Sequence, residues 1–434
     1  MKRKWLSKML AFMLVIGMIL PLTACNGTVK RADDTKAQQD TKIETDELTR
    51  DIKQDPQVST VSLEGEQLKT TQTAITNFSV SLFQKSIEKD KNVLISPLSV
   101  LTALSMTANG AKGETLEQME SVFGMDMDTL NVYLKDYVEN LPQGKAYKLQ
   151  LANSIWFRDS DGFSVKDEFL QTNANYYDAE IYKSPFDDST VKEINAWVDK
   201  NTDGMIKKIL NKITSDNVMF LINALAFDAK WETPYEEYQV QDAAFTTEEG
   251  KQQEIEMMYS EEDYYIEDEK ATGFIKKYKD GKYAFVGLLP NEGVSVAEYV
   301  EGLTGEGIGR MLANKEETMV DVALPKFTTE YEISLNQALT NMGMEAAFDG
   351  AVADFSGIGQ SGNGNLYIEK VLHKTFIDVS PEGTKAAAVT SVEMNCEGAM
   401  IPEYRVYLDR PFVYMLIDCE TNLPFFIGTQ MSME

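Results

Sequence analysis

Pro381-Glu-Gly-Thr-Lys-Ala-Ala-Ala-Val-Thr-Ser-Val-Glu-Met-Asn-Cys-Glu-Gly-Ala-Met-Ile-Pro-Glu-Tyr404 joins two segments that read as strands, Lys374 to Val379 and Arg405 to Leu408. At more than twenty residues it is too long for an ordinary connection, and loops of that length are functional or disordered. Its period is nevertheless that of a strand. Thr384, Ala386, Ala388, Thr390, Val392 and Met394 share one face, and Lys385, Ala387, Val389, Ser391, Glu393 and Asn395 the other. One face is small or apolar, and the other holds both charges. A segment that alternates between exposed loop and buried strand needs this pattern, with Gly383 giving freedom at the pivot. A surface loop of small residues with accidental alternation fits the pattern equally well.

Outward from this loop, residues 72–434 contain no long linker, internal repeat or low-complexity tract, so a single large domain is expected. The first half is helix-rich. Ala74 to Ile87 carries apolar residues at helical spacing, and Ser96-Pro97 suits the cap and first turn of a helix that stops at Asn109-Gly110. Later segments favour strands: Val218 to Phe227, Tyr283 to Leu289, Val320 to Ala323, Phe412 to Asp418 and Phe425 to Thr429 join the two named above. Several are continuous apolar runs, as in strands covered on both faces. Helices first and strands later predict an α+β fold.

Composition narrows the function. The 434 residues carry 41 basic and 69 acidic side chains, a net charge of −28, which opposes binding to phosphate backbones. Nucleic acid is therefore not an expected partner. With 43% hydrophobic and 25% charged residues the chain can bury a substantial core. Cys25, Cys396 and Cys419 are scattered and His373 is the single histidine, so no zinc motif forms and no metal or other cofactor is expected. Acid–base or triad chemistry would have to run through His373, and the sequence holds no nucleophile elbow, H-E-x-x-H or phosphate-binding loop. The protein is not expected to be an enzyme. A serine hydrolase using His373 is the weakest of the readings considered.

The amino terminus reads as an export signal: Lys2, Arg3, Lys4 and Lys8 precede an apolar run from Met9 to Leu20, too short for a membrane span. Leu22-Thr23-Ala24-Cys25 resembles the lipobox of bacterial lipoproteins. That resemblance implies a signal peptide over 1–24, a lipidated Cys25 as first mature residue, and an extracellular protein tethered to the bacterial surface by acyl chains alone. Residues 25–71, polar and without period, are expected to form a disordered tether. Cys396 and Cys419 are then expected to be free thiols.

Gly383-Thr384-Lys385-Ala386-Ala387-Ala388-Val389-Thr390 resembles the hinge of the reactive-centre loop in inhibitory serpins. Asn92 to Ser99, Gly110 to Thr115, Asn195 to Val198, Leu221 to Trp231, Leu324 to Phe327, Met342 to Met344, Ala353 to Ser356, His373-Lys374 and Arg410 to Phe412 extend the resemblance, in the family's order, over nearly all of residues 72–434. It implies helices packed around a metastable central sheet A with sheets B and C and an exposed loop. It also implies action on serine proteases: cleavage of the loop, an acyl-enzyme, and insertion of the loop into the sheet before deacylation. The hinge is then Gly383, Thr384, Ala386, Ala387, Ala388 and Thr390. Ser96, Ser99, Asn223 and His373 map to the shutter where the central strands part, and Trp231 to the breach at the top of the sheet. The protein is expected to be a monomer.

Two departures stand out. Pro381 occupies a position where many inhibitory members have glutamate, and Lys385 one where they have an acidic residue. The usual breach ion pair is therefore not expected, and a non-inhibitory binding protein on the same fold is the alternative. Counting about fourteen residues beyond Gly383, as the family's insertion geometry implies, puts the reactive bond at Glu397–Gly398. That bond suits a glutamate-preferring protease. Ala399-Met400-Ile401-Pro402 resembles elastase-directed bait, so Cys396, Ala399 and Met400 remain alternatives, with elastase-, subtilisin- and glutamyl-type proteases all open as targets.

Overall fold

A computed structural model describes residues 45–48, 51–55, 58, 62–142, 144–362, 364–384 and 402–433. The α+β expectation holds: nearly all the long helices precede residue 202, and most of the strands follow residue 218.

Local chemistry sets the first elements. Helix α1 (Gly65–Ser86) buries Ile75, Phe78, Leu82 and Phe83 along one face. Helix α2 (Pro97–Ala108) starts where expected, with the Ser96 side chain accepting from Ser99 N and Pro97 at the first position, where a missing N–H costs nothing. It ends at Asn109. Nearly every residue of α2 is buried, because the helix runs beneath a sheet and under α1.

Among the described residues that sheet has seven strands, in the order Asp46–Glu47, Glu180–Ser184, Tyr147–Arg158, Met219–Lys230, Gly383–Thr384, Leu372–Ser380 and Phe327–Ser334. Tyr147–Arg158 and Met219–Lys230 pair antiparallel over eleven positions, from Tyr147 opposite Ala229 to Phe157 opposite Met219. Leu372–Ser380 pairs antiparallel with Phe327–Ser334, burying His373, Thr375, Ile377 and Val379 on one face and alternating as a half-covered strand must. A second sheet of nine strands includes Gln252–Glu267, Ala271–Lys277, Tyr283–Pro290 and Phe412–Asp418. Tyr283–Pro290 is buried at all eight positions between two antiparallel neighbours, which explains its unbroken apolar run. A two-stranded sheet joins Phe163–Val165 to Gly359–Ser361.

One expectation is corrected here. The stretch expected as disordered tether joins the fold well before Gln72. Asp46–Glu47 adds to the edge strand Glu180–Ser184, and Leu48, Ile52, Leu63 and Leu68 pack against the core. Asp55 N donates to Asn175 Oδ1 at 2.7 Å, Gln171 Nε2 donates to Lys53 O at 2.7 Å, and α1 begins at Gly65. The average polarity of the stretch concealed isolated apolar residues and a backbone whose partners lie far away in sequence. Cys25 and residues 26–44 lie outside the described residues.

Candidate functional site

The long loop leaves the seven-stranded sheet through a tight turn. Ser380 closes the Leu372–Ser380 strand, Pro381 and Glu382 turn, and Gly383–Thr384 enters between the two central strands. Thr384 lies opposite Val379 on one side and Ala229 on the other, while Gly383 lies opposite Ser380 and Lys230. Gly383 is required by close approach. A Cβ there would stand 2.1 Å from Ala229 O and 2.7 Å from Lys230 Cα, both backbone atoms.

The Trp231–Tyr235 segment holds this turn. Trp231 N donates to Glu382 O at 3.0 Å and Tyr235 N to Pro381 O at 2.9 Å. Trp231 Nε1 donates to Ser380 O at 2.8 Å. Three consecutive carbonyls are thereby fixed, and Pro381, which lacks an N–H, serves as an acceptor only. Thr384 is 2% exposed, and its hydroxyl meets the Tyr278 hydroxyl at 2.5 Å. Burial holds the Tyr278 phenol protonated far above its ordinary range, and its ring stacks on Trp231 with centroids 4.4 Å apart.

Below Thr384, Met219–Lys230 and Leu372–Ser380 share no backbone pairing among the described residues. Between them lies a cavity of about 700 Å³, lined by Ile222, Asn223 and Ala224 from one strand and by His373, Thr375 and Phe376 from the other. Ser96 and Ser99 line it too, so the four polar residues expected to act together share one space. Ser96 N donates to His373 Nε2 at 3.0 Å. Burial pushes the His373 imidazole down to about 4, so the ring is neutral, as an acceptor must be. The Nε2 lone pair is thus occupied by a backbone N–H.

Asn223 bonds elsewhere: its Nδ2 donates to Asn153 Oδ1 at 2.8 Å, and Asn153 Nδ2 donates to Tyr177 O at 2.7 Å. Asn223 Oδ1 has no partner among the described residues. A buried acceptor of this kind is costly until a donor reaches it. Thr375 Oγ1 donates to Leu94 O at 2.7 Å.

Sequence reading missed Tyr278, Asn153 and Thr375, none of which sits in a motif. Lys385, Ala386, Ala387, Ala388, Thr390, Cys396, Glu397, Gly398, Ala399 and Met400 lie outside the described residues. Cys419 is a free thiol, pushed up to about 11 by burial and hence unreactive at neutral pH. Among the described residues no group of three or more His, Cys, Asp or Glu side chains is placed to hold a metal ion.

Among the described residues, then, the two central strands are unpaired below Thr384, with the start of a long loop seated between them at one end. The serpin (serine protease inhibitor) family model matches residues 73–433. An uncharacterized serpin-like protein of Thermococcus kodakarensis is 33% identical over 381 residues, covering 85% of this chain and 87% of its own. Leukocyte elastase inhibitor A of Mus musculus is 30% identical over 374 residues, covering 82% of this chain and 97% of its own. The native-state crystal structure of tengpin, a thermophilic serpin, superposes with a TM-score of 0.84 at 47% identity, covering 90% of this chain and all of that one. The chain belongs to the serpin family.

Proposed function

We propose that the protein is an irreversible suicide-substrate inhibitor of serine proteases. The observation that carries this reading is the placement of Thr384 in register between Ala229 and Val379, at the mouth of a gap that continues along both strands. A protease attacking the loop forms an acyl-enzyme. The freed segment then adds as a strand, in the manner established for serpins, and the sequence supplies small inward residues for it in Ala386, Ala388 and Thr390. Such a strand satisfies backbone groups on both central strands and brings donors past Asn223 Oδ1. Glu397–Gly398 is the proposed reactive bond, with Cys396, Ala399 and Met400 as alternatives, and the target is an elastase-, subtilisin- or glutamyl-type enzyme. The protein acts as a monomer, held at the cell surface by lipid on Cys25.

Mixing the full mature protein with each protease type, followed by denaturing gels and intact mass spectrometry, tests this reading. A covalent complex, with a released peptide starting at Gly398 or a neighbouring residue, is the expected result. Cleavage with neither a complex nor a rise in unfolding temperature would transfer the assignment to a non-inhibitory binding protein. For the anchor, Cys25→Ser should release the protein from the membrane fraction.

A further inference from the structure

Beneath the turn that starts the loop lies a lysine buried against two aromatic rings. Lys276, on the Ala271–Lys277 strand, is 2% exposed. Its ammonium stands 2.6 Å from Glu262 Oε1, on the neighbouring Gln252–Glu267 strand. The same ammonium lies 4.4 Å from the Tyr235 ring centre and 5.4 Å from that of Trp231. A buried cation persists only when paired and hydrogen-bonded, and here carboxylate and rings together supply that pairing.

Tyr235 and Trp231 are also the residues whose backbone N–H groups hold Pro381 O and Glu382 O, and Trp231 Nε1 holds Ser380 O. We infer that Lys276, paired to Glu262, is a positioning residue for strand addition. It fixes the two side chains, the two backbone amides and the indole N–H of these residues fix three carbonyls of the turn, and the turn sets the register, Gly383 opposite Lys230 and Thr384 opposite Ala229, from which the cut loop zips into the sheet. Among the described residues Lys276 bonds to no part of Ser380–Thr384 and does not line the gap. Its loss leaves bait recognition unchanged and slows insertion, so that more acyl-enzyme deacylates before it is trapped.

This inference rests on the proposed inhibitory reading, and the experiment separates the two. Wild type, Lys276→Met, Lys276→Arg and Glu262→Gln, all as the full mature protein, are cut in the loop with a catalytic amount of a protease that cleaves it without being trapped. Cleavage rate is followed by mass spectrometry, and the gain of thermal stability after cleavage by timed unfolding. Lys276→Met should be cut at the wild-type rate but acquire stability more slowly, on the order of tenfold, the effect of losing one well-placed buried cation–π contact. The number of inhibitor molecules consumed per protease trapped should rise with it. Lys276→Arg should recover most of the wild-type rate, a rescue that loss of overall stability would not give. Glu262→Gln, altering a less buried group, supplies the same comparison should Lys276→Met fail to fold. Equal post-cleavage kinetics in wild type and Lys276→Met, or in Glu262→Gln where that variant is the one that folds, would overturn the role of Lys276. Absence of post-cleavage stabilisation in wild type would instead overturn the inhibitory reading itself.

Discussion

The backbone N–H of Ser96 donates to Nε2 of His373 at 3.0 Å, joining the cap of α2 to a central strand of the seven-stranded sheet. The bond requires a neutral ring, and burial keeps it so by lowering its pKa from 6.5 to about 4. As pH falls, the unfolded chain takes up this proton near 6.5 while the folded chain resists until about 4. The stabilisation is thus complete above pH 6.5 and lost between 6.5 and 4, with about 1 kcal/mol gone by pH 5.5. Urea unfolding of wild type and His373→Gln at pH 7.5 and 5.5 should show the two profiles converging as pH falls. A difference that stays constant with pH would contradict this.

Thr384 is buried against the Tyr278 hydroxyl, within the stack that Tyr278 makes with Trp231. A guanidinium placed there meets the Tyr278 hydroxyl in place of water, and leaving it buried without a paired carboxylate costs several kcal/mol. Thr384→Arg should therefore be cut in the loop as readily as wild type, yet form no covalent complex and gain no thermal stability. Thr384→Ser keeps the hydroxyl and should behave as wild type. Stable complexes of Thr384→Arg, seen on denaturing gels, would show that entry between Ala229 and Val379 is not the route.

How much of this could be read from sequence follows the range of each interaction. The Ser96–Pro97 helix start is a local matter of cap and missing N–H, and it stands where expected. Phe412–Asp418 matches the expected strand residue for residue, because a strand buried at every position writes an unbroken apolar run. Tyr147–Arg158 and Gln252–Glu267 escaped notice. Each carries polar residues on its open face, Lys148 and Gln150 in the first and a series of glutamates in the second, while the pairing that holds it is made by backbone. The strand character of Gly383–Thr384 was legible because a strand period in an overlong loop marks a segment able to pair. Its partners were not, since Tyr278 and Thr384 lie 106 residues apart and neither marks the other. Lys276 would read as surface in any sequence pattern, and its burial is known only from the rings and carboxylate around it.

Gly383 offers the sharpest test of the turn. Its φ of +155° and the 2.1 Å that would separate a new Cβ from Ala229 O leave no place for a side chain, and the obstructing atoms are backbone. In Gly383→Ala the turn must withdraw from Met219–Lys230, at a cost of about 1 to 3 kcal/mol typical of overpacking. Withdrawal pulls Glu382 O and Pro381 O away from the amides of Trp231 and Tyr235, which they now accept from. Amide hydrogen exchange at both residues should accelerate by about tenfold or more, since each 1.4 kcal/mol is a factor of ten, while Tyr283–Pro290 in the second sheet keeps its protection. Unchanged exchange at Trp231 and Tyr235 would mean that the turn does not depend on the close approach of Gly383 to Ala229.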